Sequence, residues 1–369
     1  MRCLITGGAG FIGSHTADAL LAAGHDVRVL DALRPPVHMR PERPPWLHDD
    51  VELIHGDVRD RETLSRALDG VEAIFHLAAY QDYLPDFSTF FDVNATGTAL
   101  LFELLVERRQ TIRRLVVASS QAVAGEGCHE DAEGQIFVPG SRDRSQLDAG
   151  RWEIVDVQGR PARPLPTPET VSRPQNPYGL SKWTQERLVL DLAPRYGIPA
   201  VAMRYSIVQG PRQSFTNAYS GACRIFCLAS HFDRPITIYE DGRQRRDFVD
   251  IEDVVRANLL VLDDERAIGQ VFNVGGERSY TVLEFADIVQ RAFDRERSLA
   301  ASGRFRYGDT RHAISDGSAL RELGWRPTRT PVDSVAAYRD WLRSVDPSPA
   351  VLDDAAAEME RLGVVLAGR

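Results

Sequence analysis

LITGGAGFIG, at residues 4–13, joins a short apolar run to four glycines, and a helical pattern follows at once. Glycine has no Cβ, so a backbone of this kind can lie against a pyrophosphate at the N-terminus of the following helix. The glycines satisfy both the GxxGxxG and the GxGxxG spacing. Asp31 closes the next apolar run, 18 positions after Gly13, where a carboxylate binds a ribose 2′-hydroxyl and repels a 2′-phosphate. The sequence therefore predicts a dinucleotide site that prefers NAD to NADP.

Apolar runs and amphipathic helical patterns alternate along the first 205 residues. The apolar runs are Cys3–Thr6, Val27–Asp31, Val51–His55, Ala73–Ala78, Leu115–Ala118 and Ala200–Tyr205. Alternation of this kind is typical of βαβ units and a parallel sheet. We therefore expect an α/β fold: a doubly wound parallel Rossmann sheet with a smaller, interleaved C-terminal α/β domain that binds the substrate.

The same pattern suggests where the two domains divide. Residues 1–205 would form the NAD-binding domain, and residues 248–276 would return to it. Residues 206–247 and 277–369 would form the substrate-binding domain. The length of the chain, 369 residues, suits two domains.

Three segments outside the regular alternation carry predictions of their own. Phe215–Leu228 has a helical pattern, and Pro235–Ile238 is predicted as a short strand. Between residues 126 and 175 the pattern lapses into a long insert with several Pro, Gly and Asp residues. Inserts of this length are usually functional or flexible.

Composition excludes several classes of function. The chain carries 44 basic and 53 acidic side chains, a formal net charge of −9, which argues against a nucleic-acid partner because such proteins show a basic surface. No apolar run approaches the ~18 residues of a membrane span, and glycines interrupt the first apolar run too early for a signal peptide. Four scattered cysteines form neither a disulfide framework nor a metal-ligand spacing. We expect a cytoplasmic protein with no metal site and no membrane partner.

Lys182 is the only lysine among the 44 basic residues. It lies four residues after Tyr178 in NPYGLSK, residues 176–182, where Pro177 suits the first turn of a helix. The two side chains therefore share a helix face. A tyrosine that acts as acid and base near neutral pH needs its pKa lowered from about 10 by roughly three units, and a neighbouring ammonium, the helix N-terminus and a cationic nicotinamide could supply that lowering. A lone lysine here indicates a role that a guanidinium cannot fill.

With the glycine motif and the Tyr/Lys pair established, the chain resembles the extended short-chain dehydrogenase/reductase family, in its NAD-dependent sugar-nucleotide epimerase/dehydratase branch. The resemblance runs over nearly the whole chain. Its motifs are TGGAGFIGSH at 6–15, GDVRD at 56–60, FHLAA at 75–79, NATGT at 94–98, ASSQAVAG at 118–125, NPYGLSK at 176–182, RYSIVQGPRQ at 204–213, RRDFVDIEDV at 245–254, FNVGG at 272–276, RYGD at 306–309 and LGWRP at 323–327. The resemblance implies that the substrate is a nucleotide-diphosphate sugar.

The resemblance also implies a role for individual residues. Ser120, Tyr178 and Lys182 would be catalytic, with the Ser120 hydroxyl bridging substrate and tyrosine. The implied cofactor contacts are Gly7, Gly10, Phe11, Ile12, Gly13, Asp31, Asp57, Val58, Leu77, Ala78, Ala79, Tyr178, Lys182 and Tyr205. Among these, Asp57 and Val58 would contact the adenine, and Tyr205 would lie near the nicotinamide carboxamide. The nucleotide diphosphate would be held by Arg246 and Arg306, with Arg212 as a third.

Two further predictions concern the substrate loop and the assembly. Tyr80, Gln81 and Tyr83 follow the fourth predicted strand, where substrate loops of such sheets lie, so Tyr80 and Gln81 either contact the substrate or pack within the fold. The helical patterns Phe90–Glu107 and Tyr178–Leu192 resemble the helices that this family pairs into a dimeric four-helix bundle. A homodimer is therefore expected, with packing inside one chain as the alternative.

The departures from the family pattern narrow the reaction. Dehydratases of this branch carry an Asp-Glu pair directly after the Ser120 equivalent, whereas this chain has Gln121 and Ala122. Ala122 also speaks against uronic-acid decarboxylases, which usually keep a glutamate nearby. Ile207 and Ala124 replace an asparagine and a tyrosine that often occur in the family, which changes the substrate contacts. The chain looks most like bacterial 4-epimerases of deoxysugar nucleotides such as dTDP-L-rhamnose.

These residues lead to the hypothesis of an NAD-dependent epimerase that inverts C4 of a nucleotide-diphosphate sugar through a transient 4-keto intermediate. A net sugar-nucleotide dehydrogenase or ketoreductase of the same fold is the enzymatic alternative. A non-catalytic NAD-binding sensor or scaffold is the alternative from another class. That last interpretation predicts decay of the catalytic trio, and all three residues are present.

Overall fold

The computed structural model describes residues 1–82, 84–217, 221–352, 361 and 363–367. Its strands, in chain order, are β1 (Arg2–Thr6), β2 (Asp26–Asp31), β3 (Glu52–His55), β4 (Ala73–His76), β5 (Arg114–Ser120), β6 (His129–Glu130), β7 (Ile136–Phe137), β8 (Arg163–Pro164), β9 (Ala200–Tyr205), β10 (Ile207–Gln209), β11 (Arg245–Asp250), β12 (Val271–Val274), β13 (Ser279–Thr281), β14 (Arg304–Arg306) and β15 (Val365–Ala367). The α-helices are α1 (Phe11–Ala22), α2 (Arg61–Ala67), α3 (Phe87–Phe90), α4 (Gly97–Glu107), α5 (Arg144–Asp148), α6 (Pro177–Arg187), α7 (Gly221–His231), α8 (Ile251–Asp263), α9 (Val282–Ala292), α10 (Ser318–Glu322) and α11 (Pro331–Val345).

Seven parallel strands form the central sheet, in the order β12-β9-β5-β4-β1-β2-β3. The inner strands are largely apolar and buried because helices cover both faces of the sheet, whereas the edge strand β3 is only partly buried. One face is packed by α1 and α8, and the other by α2, α4 and the residues after α6. The chain leaves β1 towards β2 and β3 and then crosses to β4 on its other side, so a crevice opens at the carboxyl ends of β1 and β4. The predicted doubly wound Rossmann sheet is confirmed.

A smaller unit follows the central sheet and is interleaved with it. Its three-stranded sheet has the order β10-β11-β13, and α7, α9 and α11 surround its own apolar core. The predicted return to the first domain at residue 248 falls inside β11, whose last residue, Asp250, caps α8 through its side chain. The domain boundaries remain a prediction.

One local prediction in this smaller unit is wrong, and the start of a predicted helix is misplaced. Residues 235–238 form no strand, and only Ile238 makes a single bridge, to Ala301. The helix predicted from Phe215 is first described at Gly221. The Ser214 hydroxyl accepts the N–H groups of Thr216 and Asn217 at 3.3 and 3.4 Å, a local turn that competes with helix formation.

The long insert, residues 126–175, has little regular structure. It contains the small sheet β7-β6-β8 and the short helix α5. Five residues separate the end of β5 from the start of the insert, and the insert ends just before α6 begins. The insert therefore flanks the carboxyl edge of the central sheet.

One helical run among the described residues, Phe87–Glu107, is long and apolar enough to cross a membrane. It joins α3, a π-helical turn and α4 into one rod. Half of its apolar window is buried inside the fold, where Leu101 and Leu105 belong to the core beneath the sheet. That core accounts for the buried half of the window.

Candidate active site

Close backbone contacts explain two glycines of the loop after β1. Gly7 has a φ of +71°, and a Cβ on it would lie 2.7 Å from the amide nitrogen of Ala78. A Cβ on Gly13 would lie 2.4 Å from the carbonyl oxygen of Gly7 and 2.6 Å from the Cα of Gly8. The first turns of α1 are thereby packed directly on the end of β1, beside the crevice.

The N-terminus of α1 has no side-chain cap. Gly10 is the N-cap residue, and the first turn, which includes the half-buried Phe11 and Ile12, holds no acidic side chain. A Cβ on Gly10 would meet one atom within 4 Å, the Gly7 carbonyl oxygen at 3.4 Å. The N–H groups and the positive end of the helix dipole are therefore available to an anion. The loop fits the pyrophosphate of a dinucleotide such as NAD.

Gly13→Ala should reduce both stability and retention of NAD. The added Cβ has no room between Gly7 and Gly8, and overpacking of this kind costs about 1–3 kcal/mol in the free energy of unfolding. Dinucleotide content of the purified protein and its thermal midpoint measure the two effects. Gly317→Ala is the control, since its φ is −93° and its Cβ would meet nothing closer than 3.7 Å. Equal NAD content in Gly13→Ala and Gly317→Ala would contradict the close-approach argument.

Asp31, at the end of β2, is held in place by two backbone N–H groups. Ala9 donates to one carboxylate oxygen at 3.0 Å and Leu33 to the other at 2.9 Å. The first of these bonds ties the acid directly to the glycine loop. His38 Nε2 lies 4.0 Å from the same carboxylate, and burial lowers the pKa of His38 although the Asp31 charge opposes this. A fixed carboxylate with remaining lone pairs suits a ribose hydroxyl.

The predicted adenine residues follow β3. The carboxylate of Asp57 accepts from Arg59 Nε at 2.9 Å and Nη2 at 2.7 Å. Arg34 lies 3.3 Å from the same carboxylate, so its charge is paired with Asp57 rather than presented beside Asp31. Val58 is buried against α4. The Arg34 side chain is 64% exposed, so this ion pair lies at the surface.

Leu77, Ala78 and Ala79 continue the chain from β4 across the crevice. The Leu77 N–H donates to the Thr6 carbonyl at 3.0 Å, and the Ala78 N–H to the Thr6 hydroxyl at 3.3 Å. Both bonds hold this segment against the end of β1. The three predicted dinucleotide contacts therefore line the side of the crevice that faces the glycine loop.

Ser120, Tyr178 and Lys182 meet at the carboxyl end of β5. The Tyr178 hydroxyl is hydrogen-bonded to the Ser120 side chain. The Lys182 ammonium donates to the carbonyl of Ala118 at 2.8 Å and lies 5.9 Å from the centre of the Tyr178 ring. Both Tyr178 and Lys182 are buried. The structure brings the predicted trio together.

The start of α6 is built to approach β5 closely. The side chain of Asn176 caps the helix by accepting the N–H of Gly179 at 2.8 Å. A Cβ on Gly179 would lie 2.7 Å from the Ala122 carbonyl oxygen. Only glycine at this position allows the helix to reach the turn after Ser120, which is what lets Tyr178 contact the serine.

Burial dominates the titration of Tyr178 and Lys182 in the protein alone. It raises the pKa of Tyr178 to about 12, although the hydrogen bond from Ser120 opposes this. It lowers the pKa of Lys182 to about 7, although the Glu186 carboxylate opposes this. Lys182 therefore does not produce the expected lowering of the tyrosine pKa in the protein alone. Desolvation disfavours the charged form of the lysine as well as that of the tyrosine.

Behind the trio lies a buried polar layer that the sequence motifs did not reveal. Glu186 accepts from the Ser119 hydroxyl at 2.5 Å and from two nitrogens of Arg204 at 2.6 and 2.7 Å. Asn94 donates to the Ser181 hydroxyl at 2.9 Å. The Glu186 bonds fix α6 against β5 and β9, and the Asn94 bond fixes it against the π-helical turn Phe91–Thr96. The i,i+4 spacing of Lys182 and Glu186 was the one available signal.

Tyr205 is the last residue of β9. Its side chain is buried in the core between the sheet and α1, and its hydroxyl donates to Asn258 at 2.6 Å. The hydroxyl is thus satisfied by a partner inside that core, and the contact with the nicotinamide carboxamide stays a prediction. Its main chain, paired with Ser120 across β5 and β9, is positioned to meet a cofactor.

The three predicted diphosphate arginines do not lie together. Arg246 and Arg306 lie in one region: Arg306 pairs with Asp309 at 2.7 Å, and Arg246 donates to the Thr310 carbonyl at 2.8 Å. Arg212 instead pairs with Asp18 on α1, at 2.7 Å. The loop after β10 folds over α1, and this draws Arg212 away from the other two.

The predicted substrate loop after β4 is partly engaged in packing. The Tyr80 hydroxyl donates to Asp86 at 2.7 Å, and its ring contacts Phe90 edge-on at 4.9 Å. Gln81 is half-buried beside it, and Tyr83 lies outside the described residues. Of the two interpretations offered for Tyr80, these contacts favour packing. No three His, Cys, Asp or Glu side chains gather as metal ligands in the part of the chain that the structure describes.

Comparison with known proteins adds three findings. The model of the NAD dependent epimerase/dehydratase family matches residues 3–142 and 156–275. The dTDP-L-rhamnose 4-epimerase of Burkholderia thailandensis is 34% identical over 347 residues, which cover 92% of this chain and 94% of that protein. A putative UDP-glucose 4-epimerase of Methanocaldococcus jannaschii is 28% identical over 92% of this chain and 98% of its own length.

Solved structures agree. The UDP-glucose 4-epimerase of Thermotoga maritima, crystallised with UDP-glucose, superposes with a TM-score of 0.77 at 27% identity, covering 94% of this chain and all of that one. The Thermus thermophilus UDP-glucose 4-epimerase in complex with NAD gives a TM-score of 0.73 at 27% identity, covering 93% of this chain and 99% of that one. The resemblance, the fold class and NAD as cofactor are thus confirmed, and the chain belongs to the NAD dependent epimerase/dehydratase family.

Proposed function

We propose that this protein epimerises C4 of a nucleotide-diphosphate sugar, with NAD regenerated in each turnover. The observation that carries the proposal is the convergence of Ser120, Tyr178 and Lys182 at the switch point of the sheet, beside a loop that fits a pyrophosphate. Similarity to the B. thailandensis dTDP-L-rhamnose 4-epimerase over nearly the full length of both chains supports it.

A deoxysugar nucleotide resembling dTDP-L-rhamnose is the proposed substrate. Gln121 and Ala122 follow Ser120, and neither side chain can act as the acid that expels water from a sugar. Because that acid is missing, the 4-keto intermediate would not lose water. Reduction of the same carbon would then complete the reaction cycle.

Each side chain of the trio would have its own role in the reaction. Tyr178, as phenolate, would take the proton of the C4 hydroxyl, with Ser120 hydrogen-bonded to both oxygens. Lys182 would hold the nicotinamide ribose and place its ammonium beside the phenolate. Bound NAD supplies reversible oxidation of C4, with the same hydrogen taken up and returned. Because burial raises the pKa of Tyr178 in the protein alone, we expect cofactor binding, which adds a cationic ring, to lower it.

Purified protein incubated with a panel of nucleotide sugars tests the proposal, with C4 epimers resolved by NMR. The reaction should proceed without added cofactor, and the product formed in deuterated water should carry no deuterium at C4. Deuterium at C4 would overturn the scheme. Stoichiometric change in free cofactor absorbance would instead identify a dehydrogenase or ketoreductase, and no turnover of any sugar would favour the NAD-binding sensor.

We propose a homodimer as the assembly. Apolar side chains are exposed on the adjacent rods formed by Phe87–Glu107 and α6: Phe87 is 58% exposed, Leu180 40% and Trp183 38%. Large apolar side chains clustered on one face are typical of a protein interface. A dimeric bundle of these helices would bury them.

Leu180→Glu should convert the dimer to a folded monomer. The charge would lie in the proposed interface, where an unpaired carboxylate is costly. Within a single chain the Leu180 side chain is 40% exposed, so the substitution should leave the fold intact. Light scattering would report half the wild-type mass. Val332→Glu, at a 58% exposed position on α11, should leave the mass unchanged. A wild-type monomer would refute the assembly.

A cytoplasmic location is also proposed. All four cysteines are free and buried, which suits a reducing compartment.

A further inference from the structure

The position of Arg246 is fixed by main-chain oxygens of a neighbouring segment. Its Nη1 donates to the carbonyls of Arg245 and Arg311 at 2.8 and 2.9 Å, and its Nη2 to the carbonyl of Thr310 at 2.8 Å. Two of these three acceptors belong to residues 309–312, here named the brace segment. Where the brace segment lies therefore determines where the Arg246 guanidinium lies.

The brace segment is anchored by a fully buried arginine of its own. Arg311 Nη1 donates to Glu240 at 2.7 Å and Asp241 at 2.8 Å, and its Nη2 donates to Glu153 at 2.5 Å. The backbone N–H of Arg311 donates to Glu126 at 2.7 Å. His312 Nε2 lies 3.0 Å from the second oxygen of Glu153. Carboxylates thus surround this one residue on several sides.

Arg142 of the insert completes the arrangement. Its Nη2 donates to the Asp309 carbonyl and to Glu240, both at 2.8 Å, and its Nε lies 3.7 Å from Glu126. Asp309 is also the partner of Arg306. Glu240 has a φ of +52°, a backbone conformation that a non-glycine residue keeps only where its surroundings hold it.

Three of these charged groups come from the long insert. Glu126, Arg142 and Glu153 lie in residues 126–175, whereas Glu240 and Asp241 belong to the smaller unit. The family model leaves residues 143–155 unmatched, so Glu153 lies in sequence that the general family pattern does not describe. The insert thus supplies braces of its own to the smaller unit.

A buried charge network is an expensive way to gain stability, because desolvation offsets the attraction between the charges. Such a network can instead hold its side chains in one arrangement, since each buried charge requires all its partners. Here the network fixes the positions of two arginines that are predicted to bind a diphosphate.

We infer that the insert is a positioning element for the diphosphate: Glu126, Arg142 and Glu153 act as positioning residues that hold the brace segment and, through it, Arg246 and Arg306. The inference rests on the proposed nucleotide-diphosphate-sugar site. It assigns the insert to substrate binding and not to the chemistry at C4, which belongs to Ser120, Tyr178 and Lys182.

Glu153→Gln is the sharpest test, because the substitution keeps the shape and removes one charge from a side chain that is 38% exposed. Calorimetry would compare the binding of UDP and dTDP with that of uridine and thymidine, and steady-state kinetics would separate KM from kcat. We expect diphosphate binding to weaken and KM to rise by about 10-fold, less than the ~100-fold that a 1 Å displacement of a reacting group can cost. Nucleoside binding, bound NAD and kcat should stay within about twofold of wild type, which is well below the expected change in KM.

Glu126→Gln provides a second variant, since it can still accept the Arg311 N–H and therefore fold. It should show the same selective loss in a smaller degree. Glu130→Gln is the matched control: Glu130 lies on β6 of the same insert and pairs with Arg163 outside the network. This control should match wild type in every measurement.

The outcomes separate this inference from the proposed function. If wild type binds neither UDP nor dTDP, the proposed function fails. If wild type binds one of them and Glu153→Gln binds it equally well, the inference fails. Parallel losses of diphosphate, nucleoside and NAD binding in Glu153→Gln would mean a general structural role and would also overturn the inference.

Discussion

Tyr178→Phe should lower kcat by about 10²–10⁴-fold, the usual contribution of a positioned acid and base, while the protein keeps its fold and its NAD. The substitution removes one hydroxyl, which is hydrogen-bonded to Ser120. The ring keeps its buried position at the start of α6. Two other phenols described near the site are engaged elsewhere: the Tyr205 hydroxyl is directed to Asn258 and the Tyr80 hydroxyl to Asp86.

NMR of C4 epimers measures the turnover of this variant, and its absorbance spectrum and thermal midpoint report bound cofactor and fold. Tyr338→Phe is a matched control. Tyr338 is a fully buried tyrosine of α11 whose hydroxyl makes no hydrogen bond within the described residues. It should turn over normally. A Tyr178→Phe protein as active as wild type would remove the proposed acid and base and revive the view of the chain as an NAD-binding sensor.

Features that depend on local sequence were predictable. The six predicted apolar runs became six of the seven strands of the central sheet, with ends that differ from prediction by a few residues. The inner strands are buried, whereas the edge strand β3 is only partly buried. Gly13 and Gly7 were recognisable because a close approach leaves room for no other residue. Tyr178 and Lys182 were recognisable because four residues along a helix return to the same face.

Features that depend on contacts distant in sequence were not predictable in the same way. Arg246 and Arg212 both carry the charge expected of a diphosphate ligand, yet Arg212 pairs with Asp18. Arg311 contacts Glu153, 158 residues away. Nothing in the sequence near either residue indicates that pairing. The direction of the Tyr205 side chain likewise depends on Asn258, which reaches it from α8.

The strand predicted at Pro235–Ile238 failed for a related reason. A strand needs a neighbour along its length, and here only Ile238 finds one. Proline at position 235 also has no N–H to donate to a ladder. Apolar pattern alone therefore overestimates strands at the periphery, where a continuous partner is missing.

Lys182→Arg should lose most of its NAD and at least ~10²-fold of its activity, because a displaced contact at the reacting centre has effects of this size. The ammonium is buried, and it donates to the Ala118 carbonyl at 2.8 Å, directly beside Tyr178. A guanidinium is larger and planar, and it carries five N–H groups that need partners. Cofactor content after purification and kcat measure the loss.

The same variant has a second readout in pH-dependent stability. Burial lowers the pKa of Lys182 to about 7 from an ordinary value of 10.5. Between those two values the unfolded chain binds the proton that the folded chain has released, so this residue makes the stability of the cofactor-free protein rise with pH. Arginine stays protonated over the whole range, and Lys182→Arg should lose that rise.

Arg113→Lys is the control for the exchange itself, since Arg113 pairs with Asp263 on the surface and is 46% exposed. It should be neutral in both readouts, because either cation can serve a solvated ion pair. The contrast between the two positions tests why one lysine remains among 44 basic residues. If Lys182→Arg keeps its NAD and turns over normally, the lone lysine is only an accident of composition, and the ammonium has no special part in the site.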